Sequence, residues 1–387
     1  GADATVTASN TIQLGSASLT LVNTSGVISA TGFKGDGSLL LWSQTSTLTL
    51  GDKINELISL SSPTLIDSNL NVGIGTDIET DVARSNIGIG DGVLESLSDS
   101  SGYTNEDNIG IGTNSLGSLT TGNVNIAIGG LTLTSLESGY LNLAIGNSAL
   151  SNLVSGTDNL AIGANALLNN QASRNLAIGA LSLKVNIDGS VNTAVGFMSM
   201  EDNIDGFGNT ALGDASLSEN VSGNYNVAIG RSSLQNNVTG SNNTVVGDAS
   251  GFNNISGINN TAIGEMSLFN NKTGNYNVAV GAYTLNTLDD EEAGYGNVGI
   301  GSTSLEKVKS GSLNVGIGHG AGPNTESSTI NHSTFVGSYS GAEVDGLDNS
   351  IAIGYYATVS SSNTMQLGNQ SLELVNTSGV VSASGFK

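Results

Sequence analysis

Asn226-Val227-Ala228-Ile229-Gly230 decides the fold, because the chain repeats it at a fixed interval. The pentad Asn-x-Ala/Gly-Ile/Val-Gly stands at 71–75, 86–90 and 108–112. Its last glycine then recurs at Gly129, Gly146, Gly163, Gly179, Gly196, Gly213, Gly230, Gly247, Gly264, Gly281, Gly301 and Gly318, and looser copies end at Gly337, Gly354 and Gly368. From Gly112 to Gly281 every step is 17 residues except one of 16. A Leu usually follows four residues after the pentad glycine, as at Leu234, and a second glycine ten residues after it, as at Gly240. A period of this length marks a solenoid, in which each unit buries its apolar surface only against its neighbours.

Within the pentad, branched side chains alternate with small ones, the period-two pattern of a strand with one buried face. Glycine and asparagine supply the positive φ of tight corners, and the density of Gly, Asn, Ser and Thr disfavours helix. The expected architecture is all-β: a parallel β-roll, or β-solenoid, of 17-residue coils that run strand, corner, strand, corner. The Ile/Val and Leu columns are expected in the core. Asn heads every pentad from Asn71 to Asn314, with Ser333 and Ser350 later, and stacked amides can form a hydrogen-bonded ladder, a structural role. The small Ala/Gly face suggests close approach of another backbone, hence a homotrimer around a shared axis; a monomeric solenoid with one crowded corner is the other reading.

Composition agrees with a thin core. Among 387 residues, 37% are hydrophobic but only 4% aromatic, with 54 Gly, 2 Pro and no Cys. Ten basic against 33 acidic residues give a net charge of −23, which repels a phosphate backbone, so nucleic acid is not an expected partner. No stretch of about 18 apolar residues occurs, so direct membrane insertion is not expected.

Residues 1–34 align without gaps on 354–387, with 24 identities. The expected organisation is therefore the end of a preceding roll with its connector (1–34), a connector or neck (35–70), the repeat domain (71–368), and a connector to a next module (369–387) in a tandem array. Ile54, Leu57 and Ile58 share one helical face ahead of Pro63, which fits either a short neck helix or a loop.

Signals for chemistry are sparse. Asp289-Asp290-Glu291-Glu292 could offer oxygen ligands to a hard cation but lacks calcium-loop spacing, and reads first as a solvated acidic bulge. The two histidines, His319 and His332, have no catalytic context. Gly-x-Gly strings such as Gly73-Ile74-Gly75 belong to corners and precede no helix, so they are not phosphate loops. Tyr103, Tyr140, Tyr225, Tyr276 and Tyr295 recur just before pentads, suited to stacking on sugars or to packing across a trimer corner. No catalytic residue and no cofactor is expected.

The pentads, above all Asn226-Val227-Ala228-Ile229-Gly230 and Ser350-Ile351-Ala352-Ile353-Gly354, resemble the head repeats of YadA-like trimeric autotransporter adhesins. That resemblance implies a trimeric, left-handed parallel β-roll. The 17-residue form, with Gly-x-x-Ala/Ser-Leu and Gly-x-x-Asn-Thr-Ala-Val/Ile-Gly, more closely resembles repeats in phage tail fibres and related bacterial surface proteins. The expectation is an extracellular fibre segment on a cell surface or virion, acting as a stiff spacer and adhesin toward a surface glycan or other receptor. A tail fibre that binds a host receptor is the alternative, and a polysaccharide-degrading tailspike a more distant one.

Overall fold

The computed structural model describes residues 72–75, 86–97, 105–288, 294–325 and 328–372. The chain divides after Pro63 into two compact units, and all described residues belong to the second.

Each coil holds little straight backbone. Val227–Ile229 lies between Tyr225, left-handed at φ 56°, and Gly230 at φ 128°, so the strand cannot lengthen at either end. It pairs in parallel and residue for residue with Thr210–Leu212 and Thr244–Val246, which aligns Ala211, Ala228 and Val245 in one column. Repetition of this pairing builds an 18-stranded sheet. The sheet is parallel from Asn86–Ile89 to Met365–Leu367, and Val72–Gly75 joins its N-terminal edge antiparallel. The first pentad therefore departs from the parallel stacking of the rest. Among the described residues there is no helix. The 17-residue β-solenoid read from the sequence is thus the observed fold of the repeat.

Which face is buried differs from the expectation. Asn226 and Ala228 point into the roll and are fully buried, while Val227 and Ile229 point outward and are only partly covered. The interior is narrow because the wall across from the strand fills it with leucine: Leu116, Leu133, Leu150, Leu167, Leu183 and Leu217 are all fully buried. Alanine is what fits beneath them. The size limit on the small-residue column therefore comes from the chain's own far wall rather than from a second chain.

That wall is built from residues such as 231–236, and here too the structure corrects the sequence reading. Positive φ is carried not only by Gly and Asn but by Ser232 (55°) and Leu234 (49°), and the pattern recurs coil after coil. Left-handed backbone costs such residues about 1–2 kcal/mol each. The alternation aims successive N–H groups at opposite neighbours: Ser232 donates back to Asp214 O at 2.8 Å and Leu234 forward to Ser250 O at 3.0 Å. The corner is thereby paired on both sides, which offsets the strain.

The pentad glycine leaves no room for a side chain. A Cβ on Gly230 would sit 2.3 Å from Gly247 O, the glycine carbonyl one coil on. Elsewhere the interior tolerates exchange of volume. Val245 replaces the usual Ala, and in the same coil Gly251 replaces the usual Leu; a Cβ on Gly251 would meet Val245 Cγ2 at 3.4 Å. Fully buried Phe335 sits in the same column, in a coil where Gly341 takes the leucine position. Each enlargement is matched by a deletion nearby, as close packing requires.

Among the described residues, a second strand per coil exists only over part of the stack. Thr121–Asn123, Ser138–Tyr140 and Ser155–Thr157 form a three-stranded parallel sheet, and two shorter pairs follow toward the C-terminal end: Val308–Ser310 with Ser328–Thr329, and Gly341–Ala342 with Thr358–Val359. The three-stranded sheet coincides with Leu119, Leu136 and Leu153, seven residues after their pentad glycines. From Asn170 to Asn271 that position is a buried Asn; Asn170 Nδ2 donates to Ala172 O at 2.7 Å, and from Asn186 onward the Nδ2 donates to a glycine carbonyl three residues on, as Asn237 does to Gly240 O at 3.0 Å. This local bond closes a turn in place of the strand.

Candidate functional surfaces

The pentad asparagines form a continuous interior ladder. Asn226 Oδ1 accepts from Asn243 N at 3.0 Å and Asn243 Nδ2 at 3.1 Å. Its own Nδ2 donates to Asn209 Oδ1 at 3.2 Å and Gly240 O at 2.8 Å, and its backbone N donates to Asn209 Oδ1 at 2.9 Å. Every polar site of this fully buried amide is occupied within the chain, so the column is structural and has no group to spare for a ligand. A second amide ladder, at Asn170, Asn186, Asn203, Asn220, Asn237, Asn254 and Asn271, is equally buried and was not read from the sequence. Its signal is present: Asn at the seventh residue after the pentad glycine through these coils. The two ladders meet at Gly240, whose carbonyl accepts from both Asn226 and Asn237. Thus Asn226, Ala228, Leu234 and Gly240 face the interior, Gly230 turns the corner, and Val227 and Ile229 face out.

Three kinds of outer surface result. The first is apolar: the outward residues of the pentad sheet repeat at strand spacing, with Leu212 46%, Ile263 42% and Ile317 40% exposed. Val191, Tyr225 and Tyr276, each just before its pentad, are exposed beside them, with Phe207 edge-on to Tyr225 at 4.9 Å between ring centres. The column of Ile229 is aliphatic in every coil, whereas the column of Val227 also carries Thr193, Thr210, Thr244, Thr261 and Thr334.

The second is charged or aromatic and self-paired along the stack. Arg231 forms a bidentate pair with Asp248 at 2.9 and 2.8 Å, and the hydrogen bond to Asp248, then its charge, raise the guanidinium pKa above its usual value. Lys184 pairs with Glu201 at 2.9 Å. His319 meets Tyr339 edge-on, Tyr339 stacks on Tyr356 at 5.0 Å, and His332 Nδ1 lies 2.8 Å from Asp348 Oδ1 on the exposed surface. Neighbouring coils thus satisfy one another's side chains.

The third is a shallow, uncharged groove of about 480 Å³ over the three-stranded sheet, lined by Thr121, Asn123, Ser138, Tyr140, Ser155, Thr157, Ser173 and the glycines between them. Tyr140 is 52% exposed there.

The acidic run Asp289 to Glu292, Tyr103 and the segments 1–34 and 35–70 lie outside the described residues. Among the described residues no group of three or more His, Asp or Glu could hold a metal ion, and no helix is long and apolar enough to cross a membrane. No protein-family model matches the chain, and no curated protein matches its sequence.

Proposed function

We propose that this chain is a structural segment of an extracellular fibre, in which three copies join through the outward face of the pentad sheet into a stiff rod that acts as a spacer and adhesin. The observation that carries this reading is the apolar face itself. Ile229 and its equivalents are Ile, Val or Leu in every coil from Ile111 to Ile353, in unbroken register, while the Val227 column beside them mixes branched aliphatics with Thr193, Thr210, Thr244 and Thr261; left in water the aliphatic column would be an aggregation hazard. A closed ring of three covers one such face per chain and leaves no open interface, whereas an open association would grow without limit. The left-handed sense of the coils follows from the pentads' resemblance to adhesin heads. The work proposed is mechanical: parallel coils held by two amide ladders resist bending and set a fixed distance along the fibre.

Light scattering after size exclusion tests the reading. A solution mass near three times the 38.8 kDa of one chain is expected. A mass near one chain would sink the trimeric fibre.

A further inference from the structure

We propose that the groove over Thr121–Asn123, Ser138–Tyr140 and Ser155–Thr157 binds a linear, uncharged glycan laid along the stacking axis. The proposal deepens the adhesive part of the reading above by naming a surface and a ligand class.

The groove follows from strand geometry. Side chains alternate across a strand, so Gly122, Gly139 and Gly156 point inward and leave a floor of bare backbone. Thr121, Ser138 and Ser155 stand along one bank, and Asn123, Tyr140 and Thr157 along the other. The banks are two residues apart on the strand, about 7 Å between backbone positions, so a single sugar chain would lie over the tops of both rows and touch their polar tips. Ser173 carries the lining into the next coil.

Three observations favour a glycan over other occupants. The lining contains no charged residue, only hydroxyls, one amide, one phenol and glycine, and the chain's net charge of −23 opposes an anionic polymer. Among the described residues, the hydroxyls of Thr121, Ser138, Ser155 and Tyr140 and the amide of Asn123 make no hydrogen bond within the chain, so each is available to a ligand. The backbone of the floor is paired between strands, Thr121 with Ser138 and Ser138 with Ser155, and at the two outer strands Gly122 N donates to Asn105 Oδ1 and Thr157 N to Ser173 Oγ, so an extended peptide would have to displace these bonds to add a strand.

Periodicity adds the orientation. The banks repeat at the strand spacing of about 4.8 Å, close to the length of one pyranose in an extended chain. Successive sugars would meet equivalent hydroxyls, and the exposed Tyr140 ring would pack on one sugar's C–H face. Weak contacts repeated in register then act together.

Titration calorimetry of the whole chain with cellohexaose, chitohexaose and, as an anionic control, hexagalacturonate decides the matter. Saturable binding of at least one neutral hexamer and none of hexagalacturonate is expected. Tyr140→Ala should weaken that binding about tenfold, while Tyr355→Ala, which alters a tyrosine at least as exposed and far along the stack from the groove, should leave it unchanged. Circular dichroism checks that both variants keep the wild-type fold. No heat from either neutral hexamer at millimolar concentration, equal binding of hexagalacturonate, or equal losses in the two variants would overturn the proposal. Binding is read independently of solution mass, so this idea and the trimeric fibre can fail separately.

Discussion

A carboxamide has two donor hydrogens and acceptor room for two partners, and Asn226 uses all of them at no exposure to water. Asn226→Asp keeps the shape but turns two donors into acceptors facing Gly240 O and Asn209 Oδ1, and places a charge where nothing compensates it. We expect a loss of about 3–5 kcal/mol in urea unfolding at neutral pH, since a buried unpaired charge costs about that much. Asn226→Ser should cost about 1–3 kcal/mol, because a small hydroxyl keeps the space but not the full set of bonds. Ser333 shows the column accepting that residue: its backbone N still donates to Asn314 Oδ1 at 3.0 Å. The pentad column was legible in the sequence. The second column was written just as plainly, but Asn237 and its equivalents sit at a corner, where Asn is ordinarily a turn residue, and Leu119, Leu136 and Leu153 break the series.

The coil is the element, and its interior behaves as one volume shared by two walls. Val245→Ala should leave a cavity and cost about 1–3 kcal/mol, and Gly251→Leu alone should overpack against Leu234 and Val245 by a similar amount. The double variant restores the alanine and leucine used by other coils, and Gly251 at φ 58° already has the backbone that Leu234 adopts at 49°. Its stability should therefore exceed the sum of the single losses by more than about 1 kcal/mol, a coupling that a double-mutant cycle measures. Near the C-terminal end, the Asp345 carboxylate accepts from Thr329 N at 2.6 Å, Gly346 N at 2.7 Å and Ser328 Oγ at 3.0 Å. Those bonds, chiefly the one from Thr329, hold its pKa below 3.8. A depressed folded pKa gives stability that is present above the unfolded value and lost as pH falls through the folded one. Hydrogen exchange at the Thr329 amide should accordingly quicken below about pH 4, relative to its intrinsic rate, and Asp345→Asn should remove most of that dependence; because the carboxylate is exposed, the effect should stay within about 1 kcal/mol.

At the scale of the whole repeat, the proposed self-association depends on columns that point outward. Ile263→Lys combined with Ile317→Lys should leave the coils folded, since both side chains face away from the core, yet shift the solution mass toward a single chain. An unchanged trimer in that variant would place the interface elsewhere. The period, the parallel stack and the leucine column were legible because they are sequence identities at fixed intervals. Which strand face is inside was not, because Ala228 and Ile229 are both apolar and alternate, and only the width left by Leu234 on the far wall decides between them. The uncharged groove was equally hidden: Thr121, Ser138 and Ser155 look like any solvated hydroxyls until Leu119, Leu136 and Leu153 let a second sheet form behind them. One consequence of the amide ladder reaches beyond any single coil. From Asn108 to Asn314 each asparagine donates toward the N-terminal neighbour, through its backbone N–H and in many coils its Nδ2 as well, and accepts at Oδ1 from the C-terminal one, as Asn226 does between Asn209 and Asn243, so the column has a head and a tail. Its leading end presents donors and its trailing end acceptors, so two such columns could be spliced head to tail but never mirror-fashion, and any longer filament assembled from them would inherit one direction of travel.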